Sequence, residues 1–83
     1  MGLIENKVNQ LNKSYCVNTH NHLVILRNYG LFRIVLTGKN KKIGIGNKQF
    51  GITTWADKEV TYNCLKKVES WGWLQEVISY NEN

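Results

Sequence analysis

Between Leu23 and Thr37 two short runs of strand-forming residues, LVILR and LFRIVLT, are separated only by Asn28-Tyr29-Gly30. Branched aliphatic and aromatic side chains suit a pleated, half-buried surface, and Asn and Gly are what a tight hairpin loop wants. The pattern predicts an antiparallel hairpin with strands over 23–27 and 31–37. A second loop, Gly38-Lys39-Asn40-Lys41, leads into a third strand over 42–45. Residues 46–51 read as another turn, and 50–53 as a short fourth strand.

Alternation along these strands assigns their faces. Phe32, Ile34 and Leu36 point one way, and Leu31, Arg33 and Val35 the other. In the first strand Val24 and Leu26 oppose Leu23, Ile25 and Arg27. Both faces are therefore largely apolar. Helices cover one. The other needs the C-terminal segment, a second copy (a homodimer) or a foreign partner.

Ile4, Val8 and Leu11 recur at helical spacing, with Leu3 beside them, and predict an amphipathic helix over 3–14. Thr54-Trp55-Ala56-Asp57 reads as the start of a second helix, with Thr54 as cap and Val60, Cys64, Val68 and Trp71 on its apolar face. Gly72 ends it. Residues 73–80 contain Val77, Ile78 and Tyr80, which suit a last strand. The expected fold class is α+β: one small domain spanning 1–83, in the order α-β-β-β-α, with a three-stranded antiparallel meander packed by two helices and an extra C-terminal strand.

Net charge is +5, from eleven basic and six acidic side chains. That balance points toward nucleic acid, an anionic surface or an acidic protein. The first thirteen residues are polar, without the apolar core of a signal peptide, and no apolar run approaches a membrane span. With two cysteines, Cys16 and Cys64, a cytoplasmic protein with reduced thiols is expected, with no membrane partner.

Motifs for chemistry fall short. GNKQFGIT, from Gly46 to Thr53, has the glycines and threonine of a phosphate-binding loop, but Ile52 replaces the lysine that neutralises phosphate. His20-Asn21-His22 matches the letters of a nuclease motif but not its spread over a metal-binding unit. Cys16, His20 and His22 share parity, with Cys64 as a fourth soft donor, yet their spacing fits no closed zinc site. Asp57 and Glu59, two apart, do not share a helix face. No catalytic residue, metal or cofactor is assigned, and a non-enzymatic protein is expected. The element order is similar to that of double-stranded RNA-binding domains, but the lysine-rich start of their second helix is missing. The K-homology GXXG loop and the RRM aromatic motif are absent too.

Binding is better supplied. Lys39, Lys41, Lys42 and Lys48 crowd one hairpin with no acid among them, and Arg27 and Arg33 extend the positive field. These six are the expected contacts to nucleic acid or a nucleoprotein complex. Three tryptophans are many for so short a chain. Trp55 and Trp71 match the apolar helix face and are expected in the core; Trp73 is expected at the surface. The alternative expectation is a protein interface built from Trp73, Leu31, Arg33 and Val35. It would suit a small phage or mobile-element accessory protein that inhibits a host defence or replication protein, in the manner of anti-CRISPR inhibitors. Abundant Asn, Lys and Ile fit the AT-rich genomes in which such elements live.

Overall fold

The structure is a computed structural model that describes the backbone of residues 2–40 and 45–82, and side chains outside 39–49 and 81–82. The order is α1 (Leu3–Tyr15), β1 (His22–Asn28), β2 (Leu31–Asn40), β3 (Ile45–Gly51), α2 (Lys58–Ser70) and α3 (Trp73–Glu82). The strands form one antiparallel sheet in the order β1-β2-β3. The expected α+β architecture is present, with a third helix in place of the terminal strand.

The β1–β2 connection is the tight hairpin the sequence predicts. Asn28 pairs with Leu31, and both loop residues take positive φ, Tyr29 at 48° and Gly30 at 76°. That is a type I′ turn, whose twist matches the strands it joins. The third strand reaches further than expected: among the described residues it runs Ile45–Gly51, residues 42–44 of the expected strand lie outside the described residues, and β2 continues through Gly38 to Asn40. Every residue of 46–51 expected in a turn is instead in β3; of the expected fourth strand, 50–51 are its end and 52–53 follow it. The phosphate-loop look-alike is thus an antiparallel strand, with no helix directly after it to present N–H groups. A bulge falls at Lys39/Asn40.

After β3 the chain stays beside β2. Ile52 and Thr53 donate their N–H groups to the Ile34 carbonyl, the Thr53 hydroxyl accepts from the Ile34 N–H, and Ala56 exchanges both backbone bonds with Phe32. That bridge keeps Thr54 to Ala56 out of the helix, which starts later than predicted. Asp57 caps it, its Oδ1 accepting from the Val60 N–H at 2.9 Å. The bridge also fixes the helix's rotation. Thr61, Leu65 and Val68 face the core; Val68 is expected there, whereas Val60 and Trp71, expected with it, are exposed. Trp55 is likewise partly exposed rather than central to the core.

Gly72 ends α2 at φ 69°, and its N–H bonds to Glu69. The segment expected as a strand turns into α3, because Leu74, Val77 and Ile78 recur at i, i+3 and i+4 and all three are buried. All three helices lie on one side of the sheet. Their apolar faces meet Leu23, Ile34 and Leu36 in a single core, with Ile25 and Trp73 packed against it. Among the described residues no helix is long and apolar enough to cross a membrane.

Candidate nucleic-acid interface

The fold separates charge. No Asp or Glu occurs from Asn6 to Ala56, a stretch that contains the whole sheet. Glu5, Asp57, Glu59, Glu69, Glu76 and Glu82 all belong to helices or a helix cap. The helical layer therefore carries every acid, and the strands with their connections carry six cations and none. Two of those acids are consumed in tying elements together. Glu69 accepts from Lys7 Nζ at 2.6 Å and from Gln10, joining α2 to α1; these bonds hold its carboxyl below the ordinary range. Glu5 is also held low, first by a backbone hydrogen bond and then by the Arg27 guanidinium.

Arg27 is thereby committed to the helical side. It pairs with Glu5, and its guanidinium carbon lies 5.8 Å from the Phe32 ring centroid. Arg33 is on the other side of the sheet. Register pairs Leu26 with Arg33 and Arg27 with Phe32, so the two arginines do not share a face.

The face away from the helices is built from Val24 and Leu26 of β1, Leu31, Arg33, Val35 and Thr37 of β2, and Gly51 of β3. None of these belongs to the core cluster. Val35, between Val24 and Gly51, is only 2% exposed; Val24, Leu26 and Arg33 are half-buried and Leu31 is exposed. A Cβ on Gly51 would sit 2.7 Å from Arg33 Nη2. The bare backbone of Gly51 is what gives the guanidinium room to lie across the sheet. Arg33 Nε is buried without a hydrogen-bond partner, alone in this among the described side-chain nitrogens and oxygens.

The structure thus brings Leu31, Arg33 and Val35 together and leaves Trp73 out. Trp73 is half-buried on the helical side, its ring 5.7 Å from that of Phe50. The C-terminal segment does not fold over the open face. Of the four hairpin lysines, Lys41 and Lys42 lie outside the described residues; Lys39 and Lys48 hold register positions opposite Asn47 and Gly38. β1 ends at the His22–Thr37 pair, so Gly38 to Asn40 pair with β3 alone, as a two-stranded arm. Sequence reasoning missed Gly51 and Leu26 as parts of this surface. The parity of Gly51 relative to Arg33 needed the β2–β3 register, which no sequence pattern fixed.

Among the described residues no three His, Cys, Asp or Glu side chains group as metal ligands. Cys16 is buried, and burial raises its thiol pKa. Compared with protein-family models, with curated proteins and with solved structures, the chain finds no match.

Proposed function

We propose that this protein is a non-catalytic binder of nucleic acid, or of a nucleoprotein complex, that grips phosphates with the β2–β3 arm. The observation that carries the reading is the charge separation. Four of the eleven basic residues, Lys39, Lys41, Lys42 and Lys48, fall within the ten positions 39–48 that span the end of β2, the link and β3; the rest of the chain has seven basic and six acidic side chains. That stretch of sequence therefore accounts for nearly all of the net positive charge, and the strands beside it carry no acid. Such a ribbon suits a polyanion's backbone and reads little sequence.

The test is fluorescence anisotropy with a labelled oligonucleotide across a salt series. Four phosphate contacts give a log–log slope of about −3.6 on a duplex and about −2.8 on a single strand, so a roughly fourfold rise in salt weakens binding about 150-fold or about 50-fold. Replacing all four lysines by glutamine flattens that slope. Binding that ignores salt, or survives the fourfold replacement unchanged, refutes the proposal.

A further inference from the structure

Resting on that reading, we infer that the ligand is an unpaired strand, and that it lies along the open sheet face with Arg33 as its anchor. A duplex offers a protein mainly phosphates and groove edges, because its bases are stacked away. It satisfies a cationic arm but leaves an apolar sheet face wet. Single strands offer bases and phosphates together, and proteins meet them with aromatic rings or guanidinium planes beside cations. The face opposite the helices supplies the guanidinium plane, set among aliphatic side chains. Val24, Leu26 and Leu31 surround Arg33, and the β2 row continues through Thr37 to the register position of Lys39. Arg33 and Lys39 are six residues apart, about 20 Å along an extended strand. That length accommodates several nucleotides between two cations.

Arg33 is held as such an anchor requires. Gly51 leaves the space its guanidinium occupies, and its Nε–H is buried without an acceptor. An unpaired buried donor costs stability in the free protein, so the position of this guanidinium is fixed by the space beside Gly51 and not by a hydrogen bond at Nε. Neither alternative occupant fits the charge as well. A second copy docked face to face opposes Arg33 with Arg33 across a surface that has no acid. The chain's own C-terminal segment is already spent as α3 in the core on the other side.

The experiment compares a labelled oligothymidylate of about 20 nucleotides with a duplex of equal length, at one salt concentration. Wild type, Arg33→Lys and Arg33→Gln are titrated, with folding checked by NMR. The expected result is at least about tenfold tighter binding of the single strand. Arg33→Lys keeps the charge but not the planar guanidinium, and should lose most of that preference while duplex affinity changes less than about twofold. Chemical shifts induced by the oligothymidylate should move Val24, Leu26, Arg33 and Val35 rather than Ile25 and Ile34. Equal or tighter duplex binding overturns the inference and leaves the arm as a duplex grip. So does full retention of the preference in Arg33→Lys. Displacement of the oligothymidylate by polyglutamate at equal charge assigns the face to an acidic protein instead. Absence of binding to both nucleic acids removes this inference and the arm reading together.

Discussion

Asn12 supplies the edge of the sheet with a substitute strand. Its Oδ1 accepts from the Leu23 N–H at 2.7 Å and its Nδ2 donates to the Leu23 carbonyl at 3.1 Å. A neighbouring strand would make the same two bonds. Leu23 is 3% exposed, so replacing Asn12 by Ala leaves a donor and an acceptor with little access to water. Each such loss costs about 1–3 kcal/mol, and the lower half of that range applies because the bonds are only partly buried, giving about 3 kcal/mol for the pair. Alanine returns about 0.6 kcal/mol, since Asn12 lies within α1 and Asn is the poorer helix former. The expected net destabilisation is about 2 kcal/mol. In a domain of this size that lowers Tm by roughly 8–16 °C. Urea unfolding followed by circular dichroism measures the loss, and hydrogen exchange at the Leu23 amide locates it. Asn12→Ala within about 0.5 kcal/mol of wild type, at an unchanged denaturant slope, would refute the claim that this amide closes the sheet edge.

Three further outcomes follow from the same geometry. Tyr29 is 98% exposed at φ 48°, so it bears left-handed strain without packing in return; Tyr29→Asn should stabilise by about 0.5–1 kcal/mol in the same unfolding assay. Glu5 and Glu69 both titrate below their ordinary value when folded. A depressed carboxylate pKa adds stability above the unfolded-state value, and that contribution disappears as pH falls through the folded one. Thermal scans should therefore show Tm dropping below about pH 4.5, with a shallower drop in Glu69→Gln, which lacks one of the two groups. Ile78 and Tyr80 share a face in a strand but not in a helix. Ile78→Ala should cost about 2–4 kcal/mol and Tyr80→Ala less than about 0.5, because Ile78 is in the core and Tyr80 is exposed; equal costs would contradict α3.

The contrast between Ile78 and Tyr80 also shows where sequence reasoning reaches its limit in this chain. Local chemistry was sufficient for the β1–β2 hairpin, because Tyr29-Gly30 and the flanking alternation agree on one structure. It was sufficient for α1, where Ile4, Val8 and Leu11 leave no competing period. It failed where two periods fit. Val77, Ile78 and Tyr80 satisfy strand propensity, and only Leu74, four residues before Ile78, tips the balance to a helix once a core is there to receive it. It failed again where a distant contact sets the local phase. The observed stripe Thr61, Leu65 and Val68 and the expected one, Val60, Cys64, Val68 and Trp71, are both helical and share Val68, and the Phe32–Ala56 bridge just before the helix favours the first. The candidate surface divides in the same way. Its cations were legible as composition, and so was the absence of acids from 6–56. The partnership of Arg33 with Gly51 was not, since it depends on a register set by residues far from both. An unpaired guanidinium nitrogen beneath an acid-free face is a tertiary product, and it makes Arg33, rather than any single arm lysine, the residue whose loss should separate charge attraction from recognition.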